Sequence, residues 1–215
     1  PIHSLVRVGG VGNDTFTGST SDDTLYGGDG NDDLTGADRW DYPFPARGSI
    51  GSSYGHDTLY GGEGDDHLTG SQGSPVVIDD RDSDVFYGGN GKDQIWANAG
   101  GVIYGGADND AINPSFVIDD YRRTDAFSTI YGDGGDDRIA AFYLSYVYGG
   151  TGNDFITGLG SFTYRTTGSI YGDAGNDTIE FTDYDPAPGK LYVYGGADND
   201  LIKLTTIDNS PPLPS

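Results

Sequence analysis

Nine aspartates in this sequence each stand at the same distance behind a glycine-rich run, and their carboxylates are the groups best placed to do chemistry. Aligned on Gly-Gly-x-Gly-x-Asp-x-U-x, with U a large apolar residue, the copies begin at Gly9, Gly27, Gly61, Gly88, Gly105, Gly132, Gly149, Gly172 and Gly195. The sixth position is Asp14, Asp32, Asp66, Asp93, Asp110, Asp137, Asp154, Asp177 and Asp200 in turn. The eighth is Phe16, Leu34, Leu68, Ile95, Ile112, Ile139, Ile156, Ile179 and Ile202. Further glycines fill positions two and four: Gly10 and Gly12, Gly28 and Gly30, Gly62 and Gly64, Gly89 and Gly91, Gly106, Gly135, Gly150 and Gly152, Gly175, and Gly196.

Glycine admits φ > 0 and lets carbonyl oxygens turn into a tight loop. A carboxylate two residues later adds to that ring of hard oxygen ligands. Calcium, which takes six to eight oxygens at about 2.3–2.6 Å, suits such a ring better than zinc or copper. Nitrogen and sulfur ligands are scarce, with three histidines and no cysteine. Four copies depart mildly. Asp108 and Asp198 replace the fourth glycine, and Asp133 and Asp173 the second. Aspartate enters the left-handed region more readily than most residues, so a turn is expected to survive there.

The repeated phrase resembles the calcium-binding nonapeptide of the repeats-in-toxin (RTX) family, and the likeness runs from Gly9 to about Lys203. The resemblance implies an all-β fold, a right-handed parallel β-roll. In it the first six residues of each copy turn around a calcium ion, and the last three form a short strand with U inward. Two nonapeptides make one turn of such a roll, 18 residues. Successive copies here start 18, 34, 27, 17, 27, 17, 23 and 23 residues apart. The full motif therefore recurs once per turn and stacks its nine loops on one edge, leaving insertions on the other. One roll is expected over 1–207, with 208–215 a proline-rich tail or linker.

The insertion edge keeps remnants of the motif. Asp23, Asp57 and Asp84 hold its sixth position ahead of Leu25, Leu59 and Phe86. Beyond them only short strands ending at Tyr104, Tyr131, Tyr148, Tyr171 and Tyr194 survive, so calcium on this edge is expected only near the first turns.

These elements must bury a core from few apolar side chains. Hydrophobic residues make up 34% of 215, and glycine accounts for 37. A half-turn cannot bury its apolar face alone, and stacking of neighbours makes the core continuous. Stacking also files the carboxylates roughly 4.8 Å apart, which like charges oppose unless a cation lies between them. Nine loops offer up to about eight such interloop sites, and binding free energy then becomes folding free energy. The formal net charge of −23 favours cations as partners and argues against nucleic acid and anionic membranes. No stretch is apolar enough for a membrane span.

Tyrosine precedes the motif in eight of nine copies, at Tyr26, Tyr60, Tyr87, Tyr104, Tyr131, Tyr148, Tyr171 and Tyr194, with Val8 in the first. Strand alternation sends it outward, giving an aromatic file. Stacked rings that stabilise the sheet are one reading; a contact surface for a neighbouring protomer or a glycan is the other. The insertions carry aromatics and most of the basic residues, among them Arg39, Arg47, Arg81, Arg122, Arg123, Arg165 and Lys190. Lateral association between subunits and simple loop packing both account for them.

The sequence contains no HExxH, GxSxG, P-loop or catalytic cysteine, and His3, His56 and His67 lie far apart in the repeat order. An enzyme is not expected. The leading expectation is a secreted, calcium-rigidified structural or adhesive protein of a bacterial cell surface: a subunit of a surface layer, sheath or fibre that associates with itself or with a surface polymer. The alternative is a calcium-dependent export and folding module of a larger secreted enzyme or toxin.

Overall fold

The structure is a computed structural model of the chain and describes residues 4–19, 21–36, 56–70, 84–97, 101–112, 128–142, 145–160, 167–183 and 190–206. The longer insertions, Ala37–Tyr54 and the apolar–acidic–arginine segments at 74–81 and 114–123, lie outside these residues.

Valine, isoleucine, threonine and tyrosine flank every glycine-aspartate loop, and such residues favour extended backbone. Among the described residues they form eighteen strands that alternate between two parallel sheets. The first sheet stacks β1 (Val6–Val8), β3 (Thr24–Asp29), β5 (Thr58–Glu63), β7 (Val85–Asn90), β9 (Val102–Ala107), β11 (Thr129–Gly134), β13 (Tyr146–Thr151), β15 (Thr167–Ala174) and β17 (Lys190–Ala197). The second stacks β2 (Thr15–Thr17), β4 (Asp33–Thr35), β6 (His67–Thr69), β8 (Gln94–Trp96), β10 (Ala111–Ile112), β12 (Arg138–Phe142), β14 (Phe155–Gly160), β16 (Thr178–Asp183) and β18 (Leu201–Thr206). This is the all-β parallel roll expected from the repeats.

The register joins equivalent motif positions whatever lies between them. Leu25 pairs with Leu59 across a long insertion, as Ile130 pairs with Val147 across a turn that carries none. Slipping one residue would swap inward and outward faces, so the apolar period fixes the pairing. Between the sheets the core is the expected double file. Leu25, Leu59, Phe86, Ile103, Ile130, Val147 and Ile170 meet Leu34, Leu68, Ile95, Ile112, Ile139, Ile156 and Ile179, all at most 1% exposed.

Three features depart from the simple repeat. From β3 onward the first sheet's strands run to six residues or more, because the extended backbone continues through Gly-Gly-x before the loop turns. From β12 onward the second sheet's strands lengthen too, and Ala141 and Phe181 join the core. At the first strand the inward position is Arg7, in register with Leu25 and 6.0 Å over the Phe16 ring.

The outward tyrosines form one unbroken stack from Tyr26 to Tyr194. Successive ring centroids lie 4.7–5.0 Å apart and successive planes differ by 2–9°.

Candidate metal centre

The nine loops stand in a column where first-sheet strands cross to second-sheet strands. Apart from Gly10, the position-two and position-four glycines take positive φ, from 107° at Gly12 to 138° at Gly175. The four substituting aspartates take left-handed backbone as the sequence predicts, with φ of 75° at Asp108 and Asp198, 70° at Asp133 and 71° at Asp173.

Each sixth-position aspartate is almost fully tied into the stack. The backbone N–H of Asp14 donates to Oδ1 of Asp32, that of Asp32 to Asp66, and so on to Asp177 and Asp200, at 2.7–3.1 Å. Its carbonyl accepts the N–H of the seventh position one turn on, as Asp32 accepts from His67 at 2.7 Å. One atom is left over. Oδ2 of Asp32, Asp66, Asp93, Asp110, Asp137, Asp154 and Asp177 is buried without a hydrogen-bond partner. Buried carboxylate oxygens are ordinarily satisfied, so seven orphans in one file call for a ligand.

The space they face is shaped by the first-position glycines. A methyl group on Gly61 would strike the Asp66 carboxylate and the carbonyl oxygen of Gly88, and one on Gly88 would strike Asp93 and Gly105. The same cradle of one carboxylate and the next turn's carbonyl recurs at Gly27, Gly105, Gly132, Gly149 and Gly172. An all-oxygen cradle next to an unpartnered carboxylate fits a hard divalent cation. Among the described residues no three acidic or histidine side chains converge on one point; backbone carbonyls make up the donor set.

Without a cation these carboxylates are costly to ionise. Burial pushes Asp66 and Asp137 up to about 7, Asp110 to about 8, and Asp93 and Asp154 to about 6. The preceding turn's N–H opposes this, and neighbouring carboxylates add to it. The two terminal copies differ. Oδ2 of Asp14 accepts the N–H of Gly10 at 3.1 Å, and Asp200 is half-buried.

On the insertion edge Asp23, Asp57 and Asp84 form a shorter copy of this file, buried to 1–2%. The N–H of Leu5 donates to Asp23, that of Asp23 to Asp57 and that of Asp57 to Asp84, at 2.6–2.9 Å. Gly18 and Gly36 provide the matching cradles. Here the second carboxylate oxygen of Asp23 accepts the N–H of Ser19. In the turns that follow, Gly101, Ser128 and Ser145 occupy the place of the aspartate, as the backbone register shows. The acidic file on this edge therefore stops after Asp84.

Sequence reasoning passed over the fifth position. Its side chains form a second, exposed ladder running the opposite way. The N–H of Asn31 donates to Oδ1 of Asn13, and Asp65, Asp136, Asn153, Asn176 and Asn199 are each held by a neighbouring Asn or Asp at 2.6–3.3 Å. Lys92 joins as a donor only, to Asp65 at 2.8 Å. The signal was present, since eight of the nine fifth positions are Asn or Asp. As expected, His56 and His67 do not meet: the N–H of His56 donates to Asp22, and the His67 ring contacts Asp33.

A family model for the RTX calcium-binding nonapeptide repeat matches residues 8–38, 52–77, 76–101, 102–115, 125–141, 146–161 and 169–181. No curated protein matches the chain. Repeats of this family bind calcium and are typical of secreted, extracellular proteins, and their roll is a structural fold, not itself a catalytic one. With well over half its length matched and an orphaned carboxylate in seven successive loops, the chain belongs to the RTX calcium-binding nonapeptide-repeat family.

Proposed function

We propose that this is a secreted structural or adhesive protein of a bacterial cell surface, a subunit of a surface layer, sheath or fibre, whose calcium ions drive folding. The ions would lie between successive loops, up to about eight of them, each held by a sixth-position aspartate and by carbonyls of the glycine turns. A shorter set would lie by Asp23, Asp57 and Asp84. The file of orphaned Oδ2 atoms carries this reading, because a thin double-file core leaves little free energy to offset seven buried carboxylates. A divalent cation converts that cost into folding free energy. The extended shape, the repeating outward aromatic face and the lack of any catalytic motif support a structural role.

Circular dichroism during chelator titration tests the calcium part. The β spectrum is expected to collapse as calcium is removed and to return on its addition; an unchanged spectrum would sink it. Electron microscopy of the protein with and without calcium tests assembly, with ordered fibres or sheets expected only in calcium.

A further inference from the structure

The first sheet's outward face is out of keeping with the rest of a chain of net charge −23. Two adjacent columns run along its middle, one through Tyr26, Tyr87 and Tyr194 and one two residues earlier through Thr24, Val85 and Tyr192, with Asp133 and Asp173 two residues beyond the first column and Lys190 two residues before the second. Across all nine strands these columns hold ten tyrosines, four valines, three threonines and one serine, with no charged side chain. Nine strands at roughly 4.8 Å make it about 40 Å long, an uncharged strip of the size that marks interaction sites on soluble proteins.

From this strip we propose that calcium-loaded copies associate through it, face to face with a second copy of this chain. The proposal rests on the calcium reading above. Sugars pack on the flat faces of aromatic rings, but here both faces of each inner ring are covered by its neighbours, with planes within 2–9°. What points outward is a row of ring edges and hydroxyls repeating every 4.7–5.0 Å. A surface with that same repeat, able to return hydroxyl for hydroxyl, is another copy of the strip.

Charge makes the contact conditional. Two metal-free chains repel one another, whereas eight divalent ions would bring the formal charge from −23 to about −7 and remove most of the repulsion. The strip is only two residues wide, which suits a weak, reversible contact that is useful when repeated along an array.

Sedimentation velocity over a range of protein concentrations, with circular dichroism on the same samples, tests this. In calcium the chain is expected to form a reversible dimer, and a Gln94→Lys change on the opposite sheet is expected to leave it unaltered. Tyr87→Lys with Tyr131→Lys is expected to raise the dissociation constant at least about tenfold by placing like charges across the contact. Should that pair fail to fold, Thr58→Lys, outside the ring stack, is expected to do the same. A chain folded in calcium that stays monomeric, or a dimer indifferent to these lysines, overturns the proposal. A chain that gains no β structure in calcium would instead overturn the calcium reading.

Discussion

The backbone N–H of Asp93 donates to Oδ1 of Asp110 at 2.9 Å, while the other oxygen of that carboxylate is buried without a partner beside the Gly132 carbonyl. One oxygen thus builds the stack and the other is left for a cation. The two roles separate on substitution. In Asp110→Asn the amide oxygen can still accept from Asp93, and the NH₂ can donate to the Gly132 carbonyl. The calcium midpoint for folding is expected to rise by roughly tenfold, while the metal-free chain becomes no less stable. Calcium titration followed by circular dichroism reads the first effect, and urea unfolding of the residual β structure in chelator at pH 5, where the carboxylates hold protons, the second.

The raised carboxylates also fix a pH dependence for the metal-free chain. Asp66 and Asp137 at about 7 and Asp110 at about 8 hold protons in the folded state that the unfolded state releases near 3.8. Their contribution is fully present below about pH 4 and is lost as pH rises through 6 to 8. In chelator, residual β structure is therefore expected to melt at a higher temperature at pH 5 than at pH 8. In calcium the order reverses, because protons compete with the ion for the same oxygens. Melting curves that do not move with pH in chelator would contradict the buried-carboxylate argument.

How much of this could be read from residue order follows from which contacts repeat. The Gly-Gly-x-Gly-x-Asp loops, the inward file from Leu25 to Ile179 and the tyrosine stack all recur at fixed offsets, so one period places them. Asp108 and Asp133 were legible as left-handed residues because their positions in the phrase are otherwise glycine. The fifth-position ladder was missed although Asn13 and Asn31 are plain in the sequence. Its partner is a backbone N–H one turn away, a contact that no side-chain pattern displays. The growth of the second sheet beyond β12 was illegible for another reason: Phe181 packs over Gly158, and that pair belongs to no repeat.

That pair gives the third expectation. The Phe181 ring lies where a methyl on Gly158 would be, with the Ala141 carbonyl 2.9 Å from the same point. Gly158→Ala must displace a ring that is only 4% exposed, and overpacking of this kind costs about 1–3 kcal/mol. Urea unfolding in saturating calcium is expected to show that loss with no change in the calcium midpoint, since the site lies outside the loops. Phe181→Leu should recover part of it by making room.

The fifth-position ladder supports the last expectation, which runs in both directions. Oδ1 of Asn153 accepts the N–H of Asn176 at 2.9 Å and its side-chain amide at 3.1 Å, and its own amide donates to Asp136 at 3.0 Å. Asn153→Ala removes all three at an exposed edge, where each net bond is worth about 0.5–1.5 kcal/mol, so a loss of about 1–2 kcal/mol is expected. Lys92 is the opposite case. It stands in the same column, between Asp65 and Asn109, and has no carbonyl to offer the N–H of Asn109. Lys92→Asn supplies that acceptor, makes the ladder continuous and removes a side chain whose entropy is costly to order. It should stabilise the calcium-loaded roll by about 0.5–1 kcal/mol. Loss of the lysine charge also adds to the negative file, so the gain should grow with ionic strength as that repulsion is screened. Chemical unfolding of the two variants in calcium, at low and high salt, measures both signs; a destabilised Lys92→Asn at high salt would show that the ladder contributes nothing to holding the loops together.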